Sequence, residues 1–148
     1  MSNNTFYLPE GLPSPMATRD GIDEPYWQGL RDNQLMVQRC NDCQQWQWGP
    51  EWICHACRSF DIAWSEIESK GVIYSWERVW HPVHPALQEH CPYIVVLVEL
   101  PHANNIRMVG NLLGDAQQDI NIGSPVIGVF EHHPNAKNPF TLLQWQTV

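Results

Sequence analysis

Cys40, Cys43, Cys54 and Cys57 stand as two C-x2-C pairs with ten residues between them. Two thiolates from one tight turn can reach the same ion, and the ten-residue spacer brings the second pair opposite, completing a tetrahedron of four sulfurs. Soft thiolate ligands select zinc, or iron in a rubredoxin-like site. Four protein ligands leave no open position for a substrate, so the chemistry is structural: the ion clamps a ribbon too small to fold unaided. A redox dithiol or a pair of disulfides is the competing use of such thiols, and a reducing compartment disfavours the disulfides. Many such turns carry glycine directly after the second cysteine. Here Gln44 and Arg58 occupy those places, which predicts backbone strain or an altered turn.

His81, His84, His90 and Cys91 form a second concentration of ligand and nucleophile types. Pro82 and Pro85 make that segment a stiff extended connection, and neither an oxyanion-hole motif nor an orienting acid accompanies a Cys91–histidine pair. An ordinary loop is the expectation, ahead of a second metal site or a catalytic dyad. No catalytic residue is assigned. His132 and His133 close a predicted strand and read as solvent-exposed. Arg78 and Arg107 lie on predicted strands, where a lone arginine is usually a surface residue, so tight direct binding of a phosphate-bearing ligand is not expected. Trp46, Trp48 and Trp52 sit in the spacer between the cysteine pairs. Tryptophan is both a good cover for a thin core and a favoured interface anchor.

The elements that position these groups are short. Residues 1–18 hold Pro9, Gly11, Pro13 and Pro15, which forbids a continuous helix and predicts an extended arm attached through Phe6, Tyr7 and Leu8. Asp23 is the expected N-cap of a short helix that places Tyr26, Trp27 and Leu30 on one face. Gly29 makes that helix marginal without a neighbour. From Leu35 the pattern turns to short strands around the cysteines, and Phe60, Ile62 and Trp64 alternate with polar or small residues as a half-buried strand would.

Ser69-Lys70-Gly71 reads as a turn. Strands then follow at 72–80, at 93–100 with apolar residues on both faces, at 106–113, at 126–131 and at 140–146. Five strands with Gly110 and Gly128 inside them predict a small bent, nearly closed sheet. An OB-type barrel is the first candidate and an SH3-like barrel its competitor. The expected fold class is therefore mainly β: an N-terminal arm and short helix (1–34), a rubredoxin-like zinc ribbon (35–68) and a five-stranded OB-type barrel (69–148).

Eight basic against sixteen acidic residues leave a net charge of −8, with the cations scattered. A nucleic-acid binder depends on a basic stripe for phosphate neutralisation, and none is visible. No apolar run reaches membrane-spanning or signal-peptide length, so a cytoplasmic protein is expected.

In sequence order, "EPYWQGL", "LMVQRCNDC", "ICHAC", "KGVIYSWERV", "CPYIVVLVEL" and "INIGSPVIGVF" resemble the acyl-CoA-associated zinc-ribbon/OB-fold family, long catalogued as a domain of unknown function. The resemblance covers roughly residues 26–130. It implies metal ligation by Cys40, Cys43, Cys54 and Cys57 and an aromatic amino-terminal helix at Tyr26 and Trp27. It also implies a non-catalytic accessory subunit that binds and stabilises a thiolase-like enzyme (thiolase, acyltransferase or aldolase) acting on acyl-CoA thioesters. Tyr26, Trp27, Trp46, Trp48, Trp52 and Trp80 are the candidate contacts to that partner, or to an acyl-CoA held in a groove shared with it. The alternative from another class is a single-stranded nucleic-acid-binding OB-fold protein whose tryptophans stack on bases, a reading the charge opposes.

Overall fold

A computed structural model describes residues 6–148 of the chain. After an irregular arm, one helix, α1 (Glu24–Arg31), leads into a three-stranded antiparallel sheet of β1 (Leu35–Cys40), β2 (Trp46–Gln47) and β3 (Ile62–Ile67), in the order β2-β1-β3. Five further strands follow: β4 (Lys70–Val79), β5 (Tyr93–Leu100), β6 (Ile106–Asn111), β7 (Pro125–His133) and β8 (Phe140–Thr147). They form an antiparallel sheet in the order β6-β5-β4-β7-β8. Its two edges meet across a seam where Leu112 bridges Trp145, the Leu113 N–H donates to the Trp145 carbonyl at 2.7 Å and Asn111 Nδ2 donates to Gln144 Oε1 at 3.1 Å. The sheet thus curls into a nearly closed barrel, which leaves little free strand edge. The mainly β architecture expected from the sequence is the one observed.

Alternation decides what each strand buries. On β5, Ile94, Val96, Val98 and Leu100 are fully buried, while Tyr93, Val95, Leu97 and Glu99 are only half-buried. The strand is interior to the sheet, yet one face looks into the barrel and the other toward solvent, so the apolar residues on both faces do not mark a strand closed between two layers. The barrel core and the ribbon core are one cluster. Leu30 of α1 and Leu35 and Val37 of β1 join Ile73, Ile94, Val98, Leu112 and Trp145 in it. The helix is the bridge between the two sheets, packing on β1 as well as on β7 and β8.

That bridge explains Gly29. A Cβ there would lie 2.5 Å from Met36 Cγ and 2.9 Å from the Gln34 carbonyl oxygen, so the helix can approach β1 closely only with glycine at this position. Asp23 holds the N-cap place, but its carboxylate makes no cap bond. It accepts instead from the Thr18 N–H at 2.8 Å, the Thr18 hydroxyl at 2.9 Å and Trp27 Nε1 at 3.0 Å, tying the incoming loop to the aromatic face of the helix.

Two local expectations are also corrected. The chain turns at Glu68–Ser69, and Lys70 and Gly71 already belong to β4, paired with Ile127 and Val126. Gly71 is required there by crowding, since a Cβ would sit 2.5 Å from the Glu99 carbonyl oxygen and 2.6 Å from Val98 Cγ1. Phe60 precedes β3 and is 80% exposed; the alternation that seemed to include it begins at Ile62. The arm is attached as expected. Phe6 stacks on His133 at 3.9 Å, the Tyr7 N–H donates to Glu131 Oε2 at 3.0 Å, and the Tyr7 hydroxyl accepts from the Ile94 N–H at 2.9 Å.

Candidate metal centre

The two cysteine pairs fold into the same local hydrogen-bonded turn. In the first, the Cys40 N–H donates to the Gln45 carbonyl at 3.0 Å and the Gln44 N–H to the Cys40 carbonyl at 3.0 Å; in the second, Cys54 pairs with Ser59 at 2.8 Å and Arg58 with Cys54 at 3.0 Å. Gln44 and Arg58 adopt left-handed backbone conformations, φ 65° and 64°. The strain expected from their side chains is present at both turns, because a Cβ crowds the following carbonyl in this region.

The sulfurs converge. Cys40 Sγ lies 3.6 Å from Cys57 Sγ, and Cys43 Sγ lies 3.6 Å from Cys54 Sγ. All four ligand atoms fall within 4.8 Å of one another, the one such convergence of cysteine, histidine or carboxylate ligands among the described residues. Four thiolates at about 2.3 Å from a tetrahedral ion stand about 3.8 Å apart, so the donor set and its spacing fit a four-sulfur metal site. Cys40 and Cys54 are buried and Cys43 and Cys57 exposed, which places the site at the ribbon's surface. Backbone N–H groups of Cys57 and Ala56 face the Cys54 sulfur and lower its thiol to about 6, whereas desolvation and the neighbouring sulfurs raise the thiols of Cys43 and Cys57.

The first pair begins at the end of β1. The second lies outside any strand, and two buried glutamines that sequence reasoning overlooked hold its approach. Gln38 on β1 and Gln47 on β2 are directly opposed and each only 3% exposed. Gln38 Oε1 accepts from Gln47 Nε2 at 2.9 Å and from the Glu51 N–H at 3.0 Å, while its Nε2 donates to the Glu51 carbonyl at 3.1 Å. Gln47 Oε1 accepts from the His55 N–H at 3.0 Å, and its Nε2 also reaches the Ile53 carbonyl at 3.3 Å. The available signal was a glutamine amid the apolar run of β1, two residues before the first ligand.

The aromatic candidates separate into two groups. Tyr26, Trp27, Trp46 and Trp48 pack on the shared core. Tyr26 meets Trp48 edge-on at 4.7 Å and Trp27 at 5.2 Å, and burial pushes its phenol up to about 12. Trp46 also carries the Arg39 guanidinium over its ring at 4.8 Å. Trp52 and Trp80 are 60% and 62% exposed. Trp52 is nonetheless oriented, because its Nε1 donates to Asp20 Oδ2 at 3.2 Å.

Of the remaining candidates, His81 and His90 are exposed, and His84, His132, His133, Arg78 and Arg107 are engaged in the fold. His84 Nδ1 accepts from the Ala86 N–H at 3.1 Å and caps a short 3-10 turn at Pro85–Leu87, so the histidine loop is a self-organised connection. His132 is exposed, but His133 is not: it lies between Phe6 and Phe140, at 3.9 and 4.3 Å, and contacts Glu131 Oε1 at 2.7 Å. Arg78 donates to the Ala116 and Gln118 carbonyls at 2.7 and 2.6 Å, holding the loop after β6 against the barrel. Arg107 lies over the Tyr74 ring at 3.6 Å and pairs with Glu99 at 2.9 Å. No helix among the described residues is long and apolar enough to cross a membrane.

A four-thiolate ribbon joined through one core to a five-stranded barrel defines the class as a zinc-ribbon/OB-fold protein. Residues 27–63 match the ChsH2 rubredoxin-like zinc ribbon domain and residues 64–131 the ChsH2 C-terminal OB-fold domain. A chain of the solved "Ltp2-ChsH2(DUF35) aldolase" is 32% identical, with a TM-score of 0.74 over 90% of this chain and 98% of that one. The chain belongs to the ChsH2-type zinc-ribbon/OB-fold family, DUF35. A protein of unknown function from the same family in Sulfolobus solfataricus has the same fold, with a TM-score of 0.61 at 15% identity. The "Probable enoyl-CoA hydratase alpha subunit" of Thermomonospora curvata is 37% identical over 130 residues, which are 85% of this chain and 38% of that protein. The chain therefore spans well under half of that relative's length.

Proposed function

We propose that this chain is a non-catalytic accessory subunit that binds and stabilises a thiolase-like enzyme acting on acyl-CoA thioesters. The observation that carries the reading is its correspondence, along nearly the whole of both chains, to part of an Ltp2-ChsH2 aldolase. The site chemistry supports the same reading. Cys40, Cys43, Cys54 and Cys57 form a closed donor set, and zinc bound there supplies a four-point cross-link and no reactive position. A cytoplasmic setting, where these thiols stay reduced, suits that use.

Trp52 and Trp80 are the aromatic anchors free to enter a partner. Tyr26, Trp27, Trp46 and Trp48 are packed on the shared core and are less available to a partner. Arg78 and Arg107 are both committed within the chain, and the net charge is −8. An acyl-CoA in a shared groove would draw its phosphate contacts from a basic partner.

The test is co-expression of this chain, tagged, with a thiolase-like protein from the same organism, followed by affinity capture at moderate salt. A stoichiometric complex is expected. Recovery of this chain alone, with the candidate partner soluble in the flow-through, would overturn the proposal.

A further inference from the structure

The second cysteine pair presents a positioning problem. Cys40 is the last residue of β1, so its backbone is set by sheet pairing, but residues 48–61 belong to no strand or helix. Holding such a segment in one conformation costs about 1–2 kcal/mol per residue in backbone entropy. The Gln38 and Gln47 side chains act on this segment at Glu51, Ile53 and His55. These are alternate residues, and the last two flank Cys54 on either side. Both lone pairs of Gln38 Oε1 and both N–H groups of Gln47 Nε2 are used, so the pair has one orientation that satisfies it. Flipping the Gln38 amide would set an oxygen against the Glu51 carbonyl.

We infer that the buried Gln38–Gln47 amide pair is the positioning element of the metal centre, fixing residues 51–55 so that Cys54 meets the three other thiolates. Neither glutamine touches the sulfurs. They act through the backbone on both sides of one ligand, as outer-shell partners of metal ligands do, and loss of such partners weakens metal binding about ten- to hundredfold. The inference rests on the metal reading of the four cysteines and is separable from it.

The experiment uses the full chain loaded with zinc, with affinity read by competition against a chromophoric chelator and amide exchange followed at Glu51 and His55. Gln38→Met and Gln47→Met keep the approximate volume and remove the hydrogen bonds. Each should weaken zinc about tenfold or more and release protection at both amides. Because the two side chains work as a unit, the double variant should lose little more than either single one. If Gln47→Met does not fold, Gln38→Glu remains informative. It keeps both acceptor contacts but sets a buried carboxylate oxygen against the Glu51 carbonyl in place of an N–H, and should weaken zinc about tenfold or more. Wild-type protein that takes up no zinc would overturn the metal reading. Wild-type protein that binds zinc, with variants that bind it equally well, would overturn the positioning role alone.

Discussion

Arg58→Gly should tighten metal binding. Arg58 sits at φ 64° immediately after Cys57, with its N–H donating to the Cys54 carbonyl at 3.0 Å. A residue with a Cβ carries about 1–2 kcal/mol of strain in this conformation, and glycine removes it. Glycine returns about 0.5–1 kcal/mol through the freedom it gains in the unfolded chain. The net gain is about 0–1.5 kcal/mol, centred on about 0.7 kcal/mol. With folding of the ribbon coupled to metal binding, the central value appears as an apparent zinc affinity about threefold higher. Gln44→Gly, at φ 65°, should behave similarly, less a small amount for the exposed Gln44 Nε2 bond to the Asn41 carbonyl. The assay is chelator competition at fixed pH and salt, with Arg58→Ala as the comparison. Alanine removes the same charge and keeps the strain. If Arg58→Gly binds zinc no more tightly than Arg58→Ala, the strain argument is refuted.

Three further outcomes follow from named contacts. Tyr26 is a neutral phenol held at about 12 in the folded protein against about 10 when unfolded, so below pH 10 it makes no pH-dependent contribution. Between pH 10 and 12 the unfolded state ionises first, and stability should fall by on the order of 2–3 kcal/mol. Urea midpoints at pH 9 to 11.5 should decline less steeply for Tyr26→Phe than for wild type. Trp52→Ala and Trp80→Ala should leave the unfolding midpoint nearly unchanged, within about 0.5 kcal/mol, yet reduce partner capture at least tenfold together, as exposed anchors would. Gly71→Ala should cost about 2 kcal/mol or more by calorimetry, because its Cβ meets backbone at 2.5 Å and not a movable side-chain tip.

The convergence of the four cysteines was legible in the sequence because its information is local: two cysteines three apart can share one tight turn, and two such turns can face one ion. The barrel strands were legible for a similar reason, since turns at Pro101–Ala103 and Gly123–Pro125 bound apolar runs of strand length. Facts set by distant contacts were not. Gly71 looks like turn glycine until Glu99 is seen against it, and Phe60 continues an alternation that the backbone abandons at the second cysteine turn. His133 reads as a polar strand end until Phe6, more than a hundred residues earlier, stacks on it. The two glutamines were missed because a polar residue earns structural meaning only when its partners are known, and theirs are backbone groups across a loop.

The most direct measurement is acyl-CoA-processing activity, assayed for this chain alone, for the proposed thiolase-like partner alone and for the two co-purified. An accessory, metal-clamped subunit predicts no turnover by the chain alone, diminished turnover by the partner alone and full turnover by the complex. Turnover by this chain alone, or undiminished turnover by the partner without it, would contradict that role.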